Sequence, residues 1–356
     1  MKSHFFSNKL IAWYEQNKRD LPWRNTRDPY KIWLSEVILQ QTRVNQGLPY
    51  YHTFTENYPT ISDLALADEQ RVLRDWQGLG YYSRARNLHK CAIMVHESYN
   101  KEFPKIYSEI IKLPGIGKYT AAAISSFAFK QRVAAIDGNV YRVLSRIFGI
   151  DDDITTGKGQ RSFEKLSEEL IPERQPDLYN QAMMEFGALH CTPKKPKCES
   201  CIFNVECWAR KSNGQDTLPV KSKKIKVRHR YFYYFNIVAE DKLLMRERKS
   251  KDIWQGLFDF HLVERESTVE MDDIWSQDNL LKSLVKLPKK VEINNTYKHV
   301  LSHQQIHATF CTIKLDADSA QLDTLIPDGY DLYNNEEVLK LPKPVLISKY
   351  LNDGFY

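Results

Sequence analysis

Glu36 is the lone carboxyl in the run Ile32-Trp33-Leu34-Ser35-Glu36-Val37-Ile38-Leu39. A glutamate that enters an apolar surface either finds hydrogen bonds or keeps its proton. Kept protonated, it becomes a proton donor near neutral pH. Downstream, Ala135-Ile136-Asp137-Gly138-Asn139-Val140 sets a second carboxyl at the expected start of a helix. Free N–H groups there favour its ionised form, and Asn139 is near enough to orient it. The third chemical feature is Cys191, Cys198, Cys201 and Cys207, spaced C-x6-C-x2-C-x5-C. Four thiols this close suit a metal site, disulfides being possible in principle, and the spacing alone admits either zinc or an iron–sulfur cluster. A disulfide framework fits poorly, because the remaining cysteines, Cys91 and Cys311, are isolated.

The elements that must carry these groups are helices. Apolar spacing predicts helices over 5–17, 30–46, 84–99, 138–148, 160–171 and 176–190, with a proline-started helical pair over 59–76. Between them lies Lys112-Leu113-Pro114-Gly115-Ile116-Gly117-Lys118-Tyr119, a turn with two glycines running into a small-residue helix. With an apolar helix over 106–113 before it, this reads as a helix-hairpin-helix. Gly115 and Gly117 let a phosphate approach the backbone, and the helix beginning near Lys118 aims unpaired N–H groups at it. Two further stretches suit DNA. Gln40-Gln41-Thr42-Arg43 ends the helix that carries Glu36 and offers amide and hydroxyl groups to base edges. Gly78-Leu79-Gly80-Tyr81-Tyr82-Ser83-Arg84-Ala85-Arg86 sets two aromatics and two arginines in a glycine loop, a design for contacting a backbone and wedging a base stack. Arg19 and Arg24 flank Trp23 in a proline-broken segment.

The chain has 42% hydrophobic and 27% charged residues, a globular composition. No apolar stretch approaches the ~18 residues of a membrane span, and the N-terminus lacks a secretory pattern, so the expected location is intracellular, in the cytoplasm with the DNA. Net charge is only +6, yet Thr192 to Arg230 holds eleven Lys/Arg against three acidic residues. A basic stretch so concentrated points to a polyanion. From Lys211 the sequence turns polar and extended, which predicts a linker. Beyond it, Arg230–Val238, Lys242–Arg248, Tyr297–Val300 and Ala308–Lys314 are rich in aromatic and β-branched residues, which predicts a separate α+β domain. His299, His303 and His307 follow one another at four-residue intervals but are flanked by strand patterns, and they read as a loop.

Taken together, Leu21-Pro22-Trp23-Arg24, Trp33 to Thr42, Gly78 to Arg84, Leu113 to Gly117, Asp137 to Val140 and the four-cysteine loop resemble the adenine DNA glycosylases of the helix-hairpin-helix superfamily, which also includes endonuclease III. The resemblance spans essentially the whole chain. It implies a multidomain protein: an all-α helix-hairpin-helix glycosylase region with a [4Fe–4S] loop over 1–211, a basic linker over 212–229, and an α+β Nudix-like domain over 230–356. Within the first region it implies a six-helix lobe over about 21–133 and a cluster lobe from 1–20 plus 134–211. It implies a monofunctional, monomeric enzyme that hydrolyses the N-glycosidic bond of adenine opposite 8-oxoguanine or guanine in duplex DNA. Glu36 and Asp137 would be catalytic, with Tyr119 and Asn139 orienting them. Arg19 and Arg24 would line the adenine pocket. Gln41, Thr42, Leu79, Tyr81, Gly115, Gly117 and Lys118 would contact DNA, with Tyr81, beside Gln41, as the wedge. Ser302 and His303 would sense the oxidised guanine, although the family's usual Phe-Ser-His is here Leu301-Ser302-His303. The C-terminal domain lacks a Gly-x5-Glu-x7-Arg-Glu-x2-Glu-Glu run, so it should bind rather than hydrolyse. The competing reading is an endonuclease III-like glycosylase and lyase acting on damaged pyrimidines. Against it, the position of the lyase lysine holds Tyr119, and a phenol cannot form an imine.

Overall fold

The computed structural model describes residues 3–222, 226–287, 289–316 and 325–354. The middle of the expected linker, 223–225, lies outside them. By packing, the chain divides into Met1–Leu66 with Asn87–Lys223, and Ala67–Arg86 with Lys224–Tyr356.

The first unit is helical. One core gathers Phe6, Leu10 and Tyr14 of α1 (Ser3–Asn17), Val143 and Ile147 of α9 (Gly138–Phe148), Phe163 of α10 (Gly157–Leu170), Met183 and Phe186 of α11 (Pro176–Leu189), and Phe203 of the cysteine loop. Elsewhere in the unit, α2 (Pro29–Ile38) packs on α8 (Lys118–Phe129). The buried residues Ala121, Ala122, Ala123, Ser125 and Ser126 of α8 are small and permit that approach. Asp28 caps α2 through Tyr30 N–H, and Pro29 occupies its first turn, where no N–H is needed.

Two expected helices are shorter than their patterns. The run 30–46 breaks after Ile38: Gln41 takes a left-handed conformation at φ +55, and α3 (Val44–Asn57) begins afresh. Gly47 is the reason the chain can turn there, since a Cβ would lie 2.8 Å from Leu39 Cδ2. In the first arm of the hairpin only α7 (Tyr107–Ile110) is α-helical. Lys112 and Leu113 donate three residues back, to Glu109 and Ile110, and tighten the chain into the Pro114-Gly115 turn. The start of the basic linker lies on this unit, with Ile154 N–H donating to Val220 O and Arg146 holding the Gln215 and Leu218 carbonyls.

The second unit is a mixed sheet in the order β3-β2-β1-β6-β5, with β4 paired to β1 and β7 to β2. The long strands are β1 (Arg228–Ala239), β5 (Lys289–Val300) and β6 (Gln304–Leu315), with β1 and β6 parallel. The shorter ones are β2 (Lys242–Glu247), β3 (Phe258–Asp259), β4 (His261–Arg265) and β7 (Tyr330–Tyr333). Alternation along β1 sends Tyr233, Phe235 and Ile237 into a core with Leu281 and Leu284 of the helix Asn279–Leu284. Tyr234 points the other way and stacks on Phe310, which lies 4.1 Å from the ring of Tyr350 in the helix Val345–Gly354. All four expected strand patterns fall in strands. The three-histidine loop does not hold: His299 lies in β5 and His307 in β6, and only His303 sits in the turn between them. Pairing of β5 with β6 accounts for this, because the four-residue spacing straddles a tight hairpin.

The segment Ala67–Arg86 belongs to this second unit. Gln70 donates to Glu247, Gln77 to Ser348 Oγ, and Arg86 to the Gln255 carbonyl at 3.1, 3.1 and 2.6 Å. The two arginines that follow the glycine loop, Arg84 and Arg86, are both engaged within the unit. Arg84, 9% exposed, donates to the carbonyls of Leu79 and Gly80 and lies over the Trp76 ring. Arg84 shapes the glycine loop, while Arg86 is tied to the Gln255 carbonyl.

Gly149 ends α9 at φ +73, and a Cβ there would come within 2.6 Å of the Trp208 ring. Gly149→Ala should lower unfolding free energy by about 1–3 kcal/mol. Gly157→Ala, whose Cβ would meet only the Arg161 guanidinium at 3.5 Å, should change it by less than ~0.5 kcal/mol. Urea titrations of the two variants check the contrast.

Candidate active site

A cavity of about 880 Å³ opens in the helical unit, and Glu36, Tyr119, Asp137 and Asn139 all line it. They come from three helices. Glu36 sits on α2, Tyr119 on the first turn of α8, and Asp137 and Asn139 at the start of α9. Arg19, Arg24, Gln41 and Thr42 line it as well.

Asp137 is the N-cap of α9. Its Oδ1 accepts from the N–H groups of Asn139 and Val140, both at 2.9 Å, and its Oδ2 accepts from Asn139 Nδ2 at 2.6 Å. Asn139 is fixed in turn by Arg142, which donates to its Oδ1 at 2.7 Å and to the carbonyls of Gly138, Gly187 and Cys191. Gly187 of α11 supports the arrangement from behind, since a Cβ there would lie 2.5 Å from Asn139 Cβ. The helix start does not act on the carboxyl alone. Burial raises its pKa, and the three donors and Arg142 pull against that rise.

Glu36 keeps part of its surface open to the cavity while protein surrounds it on its other sides. Burial pushes its pKa up to about 7, against the Tyr119 hydroxyl and Arg24, which lower it, and with Asp137, which raises it further. The Tyr119 hydroxyl donates to Met184 Sδ at 3.0 Å, and burial with the two nearby carboxyls holds the phenol protonated well above its ordinary range.

Arg19 and Arg24 are not free arms. Both hold Glu185, a residue of α11 with a side chain only 1% exposed. Its carboxylate accepts five bonds, from Arg19 N, Nε and Nη2 and from Arg24 Nη1 and Nη2, at 2.7–2.9 Å. Burial would raise the Glu185 pKa, but the two guanidiniums bring it down to about 2. Glu185, Met184 and Arg142 were not found by motif reasoning. They lie inside helices with no local signature: packing brings Glu185 and Met184 to the cavity, and Arg142 acts behind it through Asn139.

The remaining sequence candidates divide. Gly115, at φ +73, needs to be glycine for its conformation and because a Cβ would strike Asn87. Gly117 has φ −95 and needs no unusual angle, yet nothing lies within 4 Å of where its Cβ would be, so the surface there is open. Lys118 is exposed and paired with Glu164 at 2.9 Å. In the second unit Tyr81 is the outward tyrosine, 36% exposed at φ +49, while Tyr82 is buried. Leu79, expected to contact DNA, is only 6% exposed, because it turns inward from a loop whose carbonyl Arg84 holds. Ser302 and His303 are exposed in the β5–β6 turn, and Ser302 Oγ lies 2.8 Å from the Tyr81 hydroxyl.

Cys191, Cys198, Cys201 and Cys207 converge on one small cavity of the helical unit. Three sulfurs receive N–H groups, from Arg146, Gln215 and the Phe203 backbone. Among the described residues no three His, Cys, Asp or Glu side chains are gathered closely enough to grip a single ion.

The fold and cavity define a class. Residues 34–170 match the HhH-GPD superfamily of base excision DNA repair proteins, and 233–353 match the NUDIX domain. A thermostable thymine-DNA glycosylase superimposes on 59% of this chain and 97% of its own with a TM-score of 0.54 at 30% identity. Endonuclease III trapped covalently on DNA does so over 60% and 99%, at 0.52 and 26%. The adenine DNA glycosylase of Buchnera aphidicola subsp. Schizaphis graminum is 33% identical over 97% of this chain and 98% of its own. That of Homo sapiens is 40% identical over 60% and 41%. The chain belongs to the adenine DNA glycosylase family.

Glu36 also makes a stability prediction. Its pKa is raised in the folded chain to about 7 from 4.5, so the unfolded chain loses this proton first. Stability therefore falls as pH rises through that window and levels off above it. Glu36→Gln should stabilise the protein at pH 8 by on the order of 1–3 kcal/mol, with the gain gone by about pH 4. Denaturant midpoints at the two pH values measure this.

Proposed function

We propose that the protein releases adenine from duplex DNA in which it stands opposite 8-oxoguanine or guanine, leaving an intact strand with an abasic site. The observation that carries this reading is the pairing, on one cavity, of a carboxyl whose pKa is near 7 with a carboxyl held by three donors. Cleaving an N-glycosidic bond puts positive charge on the sugar and requires a proton on the departing base. Glu36 supplies that proton, the role of the raised-pKa acid in glycoside hydrolysis. Asp137, its orientation set by Asn139 and the α9 backbone, stabilises the oxocarbenium-like sugar. Tyr119 orients Glu36, and having no amine it makes no imine with the sugar. Arg19 and Arg24 border the space for the flipped base as a rigid pair clamped on Glu185. Flipping costs a few kcal/mol, less at a mispair.

Chemistry belongs to residues 1–211 and reading of the opposite base to 230–356, joined by 212–229. The exposed Ser302-His303 turn beside Tyr81 supports that division. Tyr81 is the wedge, and the hairpin at Gly115 to Lys118 grips the phosphate backbone. The four cysteines hold one [4Fe–4S] cluster. The resemblance to the iron–sulfur glycosylases favours a cluster over zinc, and the convergence of the four cysteines on one cavity, with N–H groups on three of the sulfurs, suits thiolate ligands of either kind. Four protein ligands leave it no open site, so it would fix the basic loop Lys194 to Lys197 and take no part in the bond cleavage.

On adenine opposite 8-oxoguanine, the wild-type protein should release free adenine without nicking and without a borohydride-trapped adduct. Glu36→Gln should reduce release by about 10²–10⁴-fold while retaining DNA binding, and wild-type single-turnover rates should fall as pH rises above about 7. Efficient trapping with nicking would favour the lyase reading. Iron and sulfide analysis of anaerobically purified protein should give about four of each per chain, and stoichiometric zinc without iron would overturn the cluster assignment.

A further inference from the structure

Tyr119 stands between two acceptors and has one hydrogen to give. Its hydroxyl lies 3.0 Å from Met184 Sδ and is also the hydrogen-bonding neighbour of the Glu36 carboxyl. A thioether carries no proton, so in the contact with Met184 the phenol must be the donor. What it then turns to Glu36 is oxygen lone pairs. Lone pairs accept from a protonated carboxyl and repel a carboxylate, so the orientation that serves the sulfur also favours the acid form of Glu36. The opposite orientation points the phenol hydrogen at Glu36, stabilises the carboxylate and leaves the sulfur without its donor. The downward pull of this hydroxyl on the Glu36 pKa belongs to that second orientation.

Met184 comes from α11 and Tyr119 from α8, and both line the cavity with Glu36. The charged groups that act on Glu36 are Arg24 and Asp137, with Arg19 and Glu185 also on the cavity. The other two carboxyls are already supplied with donors, Glu185 by its two arginines and Asp137 by Asn139 and the α9 backbone. Met184 is thus the acceptor that competes with Glu36 for the phenol hydrogen.

We propose that Met184 is a positioning residue for the proton donor: its sulfur holds the Tyr119 hydrogen away from Glu36 and so keeps Glu36 in the acid form. The inference rests on the reading of Glu36 as the acid that protonates the departing base. Met184 acts through Tyr119 alone, so it sets the pH range over which the enzyme works and leaves the rate inside that range nearly untouched.

The test measures single-turnover release of adenine opposite 8-oxoguanine by the full-length protein between pH 5 and 9. Met184→Leu keeps an apolar side chain of similar size but offers no acceptor, so the phenol hydrogen turns to Glu36. The fall in rate on the alkaline side should move to lower pH by roughly 0.5 to 2 units, the range for a hydrogen bond to a charged group. At the acid end of the range the rate should stay within about threefold of wild type. In a Tyr119→Phe background, where no phenol hydrogen exists, adding Met184→Leu should move the alkaline limb by less than about 0.2 units, as expected when the two residues act as one unit. An equal displacement in both backgrounds, or an equal loss of rate at every pH, would mean that Met184 only packs the cavity, and the inference would be overturned. If the wild-type limb lies near pH 7 and Met184→Leu leaves it in place, the inference is wrong while Glu36 remains the acid. If wild-type release shows no alkaline limb, the reading of Glu36 fails and the role of Met184 falls with it.

Discussion

The cavity depends on keeping two carboxyl groups of opposite character in one low-dielectric space. Two ionised carboxylates there would repel each other and lack solvation, so one must hold its proton near pH 7 and the other must be supplied with donors. Glu36 lies on an apolar helix with a single hydroxyl nearby, and burial sets its behaviour. Asp137 caps a helix and receives three N–H groups. The same burial acts on both, and the difference in donors separates their roles.

That separation needs rigid support, which comes from groups far from the carboxyls in sequence. Arg142 ties Asn139 on α9 to Gly187 on α11 and to the Cys191 carbonyl at the head of the cysteine loop. Glu185, on the same helix as Gly187, clamps Arg19 and Arg24. Helix α11 thus braces two walls of the cavity. Its interior Gly187 permits the contact with Asn139, since an added methyl group would displace the residue that orients Asp137.

In the second unit polarity is organised in a different way. The sheet has alternating apolar faces, yet it also buries Asn236, Arg248, Asp259 and His261. At one end of the sheet the buried Arg230 pairs with the exposed Glu264 and donates to Gln304 beside the turn.

Local pattern was enough to place much of this in the sequence. Helix periods, the glycine turn, the cap at Asp137, the isolated carboxyl at Glu36, the cysteine spacing and four strand patterns are short-range signals, because each is fixed by backbone geometry or by one side chain's solvation. The points where the reading departed share a cause. The helix over 30–46 breaks because Gly47 brings α3 against Leu39, the histidines straddle a hairpin because β5 and β6 pair, and Leu79 turns inward with the loop that Arg84 holds. Which tyrosine faces out, that Arg19 and Arg24 share one buried glutamate, and that Gly187 packs against Asn139 are likewise set by contacts between residues distant in the chain. Sequence determined which groups are chemically able; tertiary structure decided their protonation and partners, since burial and donor count are properties of a packed surrounding that no local window contains.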